Sequence, residues 1–424
     1  MAPMGAPIRH EHGRRAARGD DRPQQAVILA GGRGSRLRPL TDVRPKPLIS
    51  FHGKPFLGYL LDQLRDQGIT RVLLLLGYLA EQVREYCGDG RRWGLQIDYF
   101  ISDVEDETGR RLALAYDALD PVFLLMYCDN YCPLQLDALW ERSRALDSEV
   151  LLTIYRNADR YTRDNVRLDR NGRIEVYDKD RSARDLAGVE IGYAIVHRSA
   201  IERLPGDNVS FERFVYPQLA SEGHLGAFVT DHRYYSVSSI DRLPTTEQFL
   251  ARRPTVIVDR DGVLNRKPPK AQYVCSWDEW HWLPGALEAL RVLTEAGFRI
   301  ILVSNQAGIA RGALTEDALH DIHRHMMDAV RSAGGEIEAI YFCPHGWDEG
   351  CACRKPRPGM LYHAQRHFHL DLTRTPVIGD DERDGQAADA AGCPFLPVTE
   401  QRGLLDVAHA LVAQPREASR TVKA

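Results

Sequence analysis

The sequence predicts an α/β protein of two successive domains. Its 424 residues exceed what one hydrophobic core ordinarily organises. Short apolar runs alternate with amphipathic stretches, the rhythm of strands and their covering helices. The pattern also starts twice, at residues 26 and 255, each time as an apolar strand entering a loop of glycines or aspartates.

The elements follow in order. Ala26–Ala30 reads as a buried strand. Pro55–Gln67 reads as a helix, with Pro55 in its first turn and Gly68 ending it. Val72–Leu76 is a strand, Leu79–Tyr86 a helix, and Val122–Tyr127 a buried strand that leads to Asp129. This rhythm implies a mostly parallel sheet covered on both faces. Residues 149–240 are richer in short strands and turns, as expected of a substrate-binding half. After a helix at Thr245–Ala251, Arg252-Arg253-Pro254 reads as the boundary. The second pattern places strands at Thr255–Val258, Arg299–Ser304, Ile337–Phe342 and Pro376–Ile378, and helices at about 285–296, 315–333 and 358–368. The expected organisation is therefore a tail at 1–23, domains at 24–250 and 254–412, and a polar tail at 413–424.

Composition excludes several classes. A formal charge of −4 gives no reason to invoke nucleic acid or an anionic membrane. No apolar run approaches the roughly 20 residues that span a bilayer. In residues 1–23 the basic side chains Arg9, Arg14, Arg15, Arg18 and Arg22 are interrupted by Glu11, Asp20 and Asp21, and no apolar stretch follows. That pattern fits a disordered tail better than a secretory signal. Of eight cysteines, three cluster at 343, 351 and 353, which argues for a metal rather than a disulfide framework. A cytoplasmic protein is expected. Homo-oligomerisation is left open.

The first candidate site is Leu29-Ala30-Gly31-Gly32-Arg33-Gly34-Ser35-Arg36-Leu37, with Lys46 ten residues after Arg36. Backbone amides approach phosphate closely where no Cβ intervenes, and consecutive N–H groups in such a turn form an anion nest. Arg33 and Arg36 can neutralise the outer phosphates of a nucleotide, and Lys46 the α-phosphate under attack. Asp129 ends a buried strand, where open α/β sheets place their ligands. A carboxylate there suits Mg²⁺. A short glycine loop alone could be a tight turn. The longer run through Arg44-Pro45-Lys46-Pro47-Leu48 is far more specific.

Residues 24–250 resemble the sugar-1-phosphate nucleotidyltransferases. Gly53-Lys54-Pro55-Phe56-Leu57 and Leu76-Gly77-Tyr78 look closest to the heptose 1-phosphate guanylyltransferase branch. The resemblance implies a Rossmann-like, glycosyltransferase-A-like mixed sheet. It also implies attack of a sugar 1-phosphate on the nucleotide α-phosphorus, with GTP favoured and pyrophosphate released. By the same resemblance Asp129 holds Mg²⁺, Tyr78 is a binding residue, Asp178 and Lys179 hold the sugar phosphate, and Glu190-Ile191-Gly192-Tyr193 lines the sugar pocket. Three departures stand out. Thr108-Gly109-Arg110-Arg111-Leu112-Ala113 replaces a small-residue loop near the base. Cys128 replaces the glycine before the metal aspartate. Asp241 lies one position from the expected second metal carboxylate.

The second candidate site is Asp259-Arg260-Asp261-Gly262-Val263-Leu264-Asn265. Two aspartates two apart after a buried strand can divide the work: one attacks phosphorus to form an acyl phosphate, the other protonates the leaving oxygen and then activates water. Lys355 and Mg²⁺ can supply the positive charge. Ser304, Asn305 and Gln306 can hydrogen-bond phosphate oxygens, and Asp380 offers another metal carboxylate. Cys343, His345, Cys351 and Cys353 supply three thiolates and an imidazole, a set suited to a closed structural Zn²⁺ site that would pin the loop delivering Arg354 and Lys355.

The order Asp259/Asp261, Ser304, Lys355, Asp380 over residues 254–412 resembles the haloacid-dehalogenase superfamily. That implies a parallel Rossmannoid sheet with a zinc loop. It makes Asp259 the nucleophile, Asp261 the acid–base, and Asp259, Asp261 and Asp380 the Mg²⁺ site with Asp384 in support. Asp-Arg-Asp-Gly-Val-Leu-Asn, Ser-Asn-Gln-Ala-Gly-Ile-Ala-Arg-Gly and Cys-Arg-Lys-Pro-x-Pro-Gly-Met look like the D,D-heptose 1,7-bisphosphate phosphatases, with histidinol-phosphate phosphatases a sister group. Trp277, Trp280 and Trp282 read as packing residues. His320, His323, His325, His363, His367 and His369 read as solvated helix faces, and Cys87, Cys132, Cys275 and Cys393 as structural.

The pairing itself discriminates. A phosphatase that strips the 7-phosphate from a heptose 1,7-bisphosphate yields the sugar 1-phosphate that the other domain would load onto a nucleotide. The expected partners are sugar phosphates and a nucleoside triphosphate, with no nucleic acid and no membrane. Two alternatives remain open. One is a transferase for another sugar 1-phosphate joined to a histidinol-phosphate-type or broad phosphatase. The other is a first domain that binds a sugar nucleotide without turnover and regulates the second.

Overall fold

The computed structural model describes residues 22–414; the tail readings at either end fall largely outside them. The first sheet is built from β1 (Gln25–Ala30), β2 (Arg71–Leu76), β3 (Gln96–Ile101), β4 (Val122–Tyr127), β5 (Val150–Tyr155), β6 (Val189–His197) and β7 (Leu225–Thr230). Their order is β7-β5-β6-β4-β1-β2-β3. β6 runs antiparallel to both neighbours and the other pairings are parallel. Sequence rhythm predicted a mostly parallel sheet. The mixed sheet arises because β6 returns directly from the hairpin at 166–177 instead of through a covering helix.

Helices α1 (Phe56–Asp66), α2 (Ala80–Cys87), α3 (Thr108–Leu114), α4 (Leu136–Leu146) and α5 (Phe211–Glu222) cover this sheet, and α6 (Leu243–Leu250) follows it. β1 is buried along its whole length, and its alternate side chains enter two different apolar layers, Ile28 on one face and Val27 and Leu29 on the other. That two-sided burial explains its unbroken apolar run.

The second sheet is wholly parallel: β8 (Thr255–Val258), β9 (Arg299–Asn305), β10 (Ala339–Cys343), β11 (Val377–Gly379) and β12 (Phe395–Pro397), in the order β10-β9-β8-β11-β12. Helices α7 (Ala286–Glu295), α8 (Glu316–Ser332), α9 (Gly359–Phe368), α10 (Glu382–Ala391) and α11 (Leu404–Ala413) surround it. The strand order reverses at β8, so a crevice opens at its C-terminal end.

One histidine reading needs correction. His323 is 6% exposed, not solvated: it lies on the inward face of α8, tilted against Phe342. Burial, with Arg260 next, pushes its imidazole down to about 3. His367 is exposed on its helix face, as expected, with its Nδ1 2.7 Å from the Tyr341 hydroxyl. Trp277 and Trp280 do pack, stacked with ring centroids 5.5 Å apart.

The two units touch through α9 and the turn that follows it. Gln365 Nε2 donates to the Tyr235 hydroxyl at 2.9 Å, and the Leu372 N–H donates to His232 Nε2 at 3.2 Å. Tyr235 stacks on Phe249 with centroids 3.9 Å apart.

Candidate active sites

The second site is assembled by strand ends. β8 delivers Asp259, β9 delivers Ser304 and Asn305, and β11 runs into Asp380. Lys355 Nζ lies 2.7 Å from Asp259 Oδ1 and 2.6 Å from Asp384 Oδ1, and it also donates to the Val303 carbonyl at 3.3 Å. One ammonium cannot neutralise both carboxylates. Burial pulls Lys355 down, but the two carboxylates outweigh it and the net direction is up. Burial pushes Asp259 up to about 7, with Lys355 opposing and Asp384 adding to the rise.

Two glycines make room for these acids. Gly262 has φ +93°, and a Cβ there would strike the Asp380 carboxylate; a Cβ on Gly379 would strike Asp384. Asp384 caps α10 by accepting the Asp381 N–H at 3.1 Å.

Asp259, Asp380 and Asp384 each offer an oxygen within 4.8 Å of the others. Asp380 Oδ1 is buried and lacks a hydrogen-bond partner. An all-carboxylate set with an orphaned oxygen fits a hard divalent cation. The sequence-based set held Asp261 in the place of Asp384. The Asp261 carboxylate instead faces Arg260 Nη2, at 3.0 and 2.9 Å, Asn265 Nδ2 at 2.9 Å and Gln306 Nε2 at 3.1 Å. Burial raises Asp261, but Arg260 and these donors bring it below the usual carboxylate range.

Asn305 and Gln306, expected at the phosphate, make internal clamps. Asn305 exchanges hydrogen bonds with the Lys355 backbone, Nδ2 to O at 3.0 Å and N to Oδ1 at 3.1 Å. Gln306 Nε2 also donates to Ser304 Oγ at 2.7 Å. Sequence reasoning missed Lys267, whose Nζ lies 2.7 Å from Asp380 Oδ2 and 2.9 Å from Asp381 Oδ2. Its place in an irregular loop, outside any motif, carried no signal.

Cys343, His345, Cys351 and Cys353 converge beside this site. Cys343 Sγ is 3.6 Å from Cys351 Sγ and 3.4 Å from Cys353 Sγ, and His345 Nδ1 is 3.5 Å from Cys343 Sγ and 3.2 Å from Cys353 Sγ. Four soft ligands at mutual spacings of this size match the corners of a tetrahedron around zinc. Arg354 reaches back to the His345 carbonyl at 3.5 Å.

At the first site Gly31 follows β1 directly. Gly34 adopts φ +65°, and its carbonyl accepts from Thr41 Oγ1 at 2.9 Å. Gly32 and Ser35 face solvent. Lys46 Nζ lies 2.9 Å from Asp129 Oδ2. Burial lowers Lys46, but Asp129 more than restores it; burial raises Asp129, but Lys46, then Arg36 and Lys179, bring it below the usual range. Glu190 is raised by burial, with Lys179 opposing, and its carboxylate accepts from the Gly192 N–H. Gly192 takes φ +83° where the β6 register shifts, and a Cβ there would press on Tyr127. The loop, Lys46, Asp129, Lys179 and Glu190 therefore gather at one crevice.

Other expected residues are otherwise engaged. Arg33 pairs with Glu105 at 2.7 Å and lies over the Tyr78 ring, and Tyr78 donates to the Thr41 and Asp42 carbonyls. Asp178 accepts from the N–H groups of Asp180, Ser182 and Ala183 in its own loop. Asp241 is 78% exposed, with Arg242 at 3.9 Å. Among the described residues no helix is long and apolar enough to cross a membrane.

Residues 25–176 match the family model described as Nucleotidyl transferase, and residues 352–418 the HAD-hydrolase-like model. The chain is 47% identical over 145 residues to the D-glycero-beta-D-manno-heptose-1,7-bisphosphate 7-phosphatase of Bordetella bronchiseptica, covering 34% of this chain and 80% of that protein. The Pseudomonas aeruginosa protein of the same name is 39% identical over 152 residues, covering 36% and 84%. Among solved structures, HddC from Yersinia pseudotuberculosis complexed with GMP-PN is 28% identical, covers 53% of this chain and 99% of its own, and superposes with a TM-score of 0.46. The B. bronchiseptica D,D-heptose 1,7-bisphosphate phosphatase complexed with magnesium and phosphate is 39% identical, covers 38% and 99%, and gives a TM-score of 0.37.

Proposed function

Through its C-terminal part this chain belongs to the D-glycero-beta-D-manno-heptose-1,7-bisphosphate 7-phosphatase family, and from that membership we propose a bifunctional enzyme of nucleotide-sugar synthesis. The second unit, residues 254–412, releases the 7-phosphate of a heptose 1,7-bisphosphate. The first, residues 24–250, transfers a nucleotidyl group, GTP favoured, to the resulting heptose 1-phosphate and releases pyrophosphate. The observation that carries the reading is the buried Asp259–Lys355–Asp384 constellation at the mouth of a parallel sheet.

In the phosphatase an Asp259 oxygen attacks phosphorus, the P–O bond to the sugar breaks, and the departing oxygen takes the proton of the phosphate monoanion, relayed through Asp261. Water, deprotonated by Asp261, then attacks the acyl phosphate and frees Asp259. Lys355 holds Asp259 aimed and balances its charge, and Ser304 and Arg354 face the phosphate. Held by Asp259, Asp380 and Asp384, Mg²⁺ would supply charge neutralisation at the phosphoryl oxygens. Zn²⁺ held by Cys343, His345, Cys351 and Cys353 would be structural, fixing the loop that ends in Lys355.

In the transferase the 1-phosphate oxygen attacks the α-phosphorus and pyrophosphate leaves. Gly31, Gly32, Gly34 and Ser35 present backbone N–H groups to the triphosphate, with Arg33, Arg36 and Lys46 as cations and Asp129 as the Mg²⁺ carboxylate. Lys179, Glu190 and Gly192 face the sugar. Both substrates are phosphorylated metabolites and all eight cysteines are free, which supports a cytoplasmic setting.

The exposed Asp241 favours one second reading, a first unit that binds a sugar nucleotide without turnover. One experiment separates them. The full chain is given heptose 1,7-bisphosphate, GTP and Mg²⁺, and phosphate and pyrophosphate are followed together. Release of both supports the bifunctional enzyme. Phosphate alone, with GTP bound, supports the sensor. Faster release from histidinol phosphate than from the heptose removes the pathway argument.

A further inference from the structure

Arg111, on α3, is 3% exposed, yet none of its hydrogen-bond partners is a carboxylate. Nη1 donates to the Leu76 carbonyl at 2.9 Å and to Ser102 Oγ at 2.8 Å. Nη2 donates to the carbonyls of Asp103 and Val104 at 2.6 and 3.1 Å. The guanidinium thus ties the end of β2 to the end of β3. It also fills the space beneath the phosphate loop. A Cβ on Gly31 would overlap the guanidinium, and a Cβ on Gly77 would stand 2.9 Å from both Nη atoms and 2.8 Å from the Gly31 carbonyl. Gly31 and Gly77 are joined in turn by the Tyr78 N–H, which donates to the Gly31 carbonyl at 3.0 Å.

A buried cation compensated only by carbonyl and hydroxyl dipoles is costly. Burial pulls its pKa down, with Asp106, Asp103 and Glu107 opposing from beyond hydrogen-bond range, so little of its charge is cancelled at contact. Its position is at the C-terminal edge of three parallel strands, the edge at which open α/β sheets bind ligands. It also stands within residues 108–113, where a small-residue loop was expected.

We propose that Arg111 is a positioning residue for the nucleoside triphosphate: it sets the shape of the Gly31 loop and holds a fixed positive charge beneath it. The residue touches no substrate and acts through Gly31 and Gly77. The proposal rests on the transferase reading of the first site.

The test is calorimetric titration of the full chain with Mg²⁺-GTP, for the wild type, Arg111→Met, which keeps bulk without charge, and Arg111→Lys, which keeps charge without the planar fork. About tenfold weaker binding is expected in Arg111→Met, with partial recovery in Arg111→Lys. In steady state KM for GTP rises by a similar factor while kcat at saturating GTP and KM for the sugar phosphate hold. Phosphatase turnover in the same chain reports that the fold survives. Unchanged GTP affinity in Arg111→Met overturns the proposal, as does a loss of kcat with no change in KM. Should Arg111→Met not fold, equal affinity in Arg111→Lys and wild type overturns it alone. A wild type that does not bind GTP refutes the transferase reading instead.

Discussion

Lys355 Nζ sits 2.7 Å from Asp259 Oδ1, with the two side chains 4% and 11% exposed. So short a contact out of solvent makes the lysine the fixed counter-charge of Asp259, the proposed nucleophile. Asn305 holds the Lys355 backbone from both sides, so the ammonium arrives on a rigid support. Lys355→Met should lower phosphate release by on the order of 10³-fold while pyrophosphate release from supplied heptose 1-phosphate and GTP persists. Turnover within a few fold of wild type would show that the lysine only fills space.

The same crowding predicts a conflict between stability and function. Asp259 is pushed up to about 7 in the folded protein, against about 3.9 when unfolded. Between those values the folded state keeps a proton that the unfolded state has released. Stability therefore falls as pH rises from about 4 to 7 and then levels. In Mg²⁺-free protein, Asp259→Asn should raise Tm at pH 8 by a few degrees, on the order expected for one buried charge removed, and the gain should shrink toward pH 5. Thermal melts across that range check it. A gain independent of pH would mean that Asp259 does not carry the strain.

Zinc is expected at one ion per chain, held by Cys343, His345, Cys351 and Cys353. Cys351→Ser should lose the ion, measured by elemental analysis, and slow phosphate release about tenfold or more as the Arg354–Lys355 loop loosens. Pyrophosphate release from supplied heptose 1-phosphate and GTP should not change. A zinc-free protein with full phosphatase turnover would reduce the cluster to packing.

Much of both sites was legible because each sits on a motif tied to a strand end. The runs at 29–48 and 259–265 hold Lys46 and Asp259, while Asp129 follows the apolar strand at 122–127 and Lys355 stands in the Cys-Arg-Lys-Pro run. What escaped notice depends on contacts distant in sequence. Lys267 reaches Asp380 across 113 residues, and Asp384, expected only in support, stands in the carboxylate cluster itself because α10 starts just past the end of β11. Asn305 and Gln306 have the chemistry to bind phosphate, and only the fold reveals that the Lys355 backbone and Asp261 already engage them. His323 looked solvated because its spacing with His320 and His325 is ambiguous, whereas the inward face of α8 is set by Leu319, Ile322 and Met326.

The contact between the units carries its own pH dependence. His232 is 5% exposed, and its Nδ1 lies 2.7 Å from the Arg233 carbonyl. A carbonyl can only accept, so Nδ1 carries the hydrogen and the bare Nε2 takes the Leu372 N–H. Burial holds the imidazole below its ordinary value, with nearby Asp371 opposing. A second proton would set N–H against N–H at a buried junction. The unfolded imidazole binds a proton below about pH 6.5 while the folded one does not, so stability is present above that pH and is lost as pH falls. Melts between pH 5.5 and 7.5 should show a steeper fall in wild type than in His232→Leu. Hydrogen exchange, corrected for intrinsic rates, should rise selectively at 230–237 and 365–372 on acidification. Identical slopes in the two proteins would show that this imidazole does not govern the docking of the phosphatase unit on the transferase.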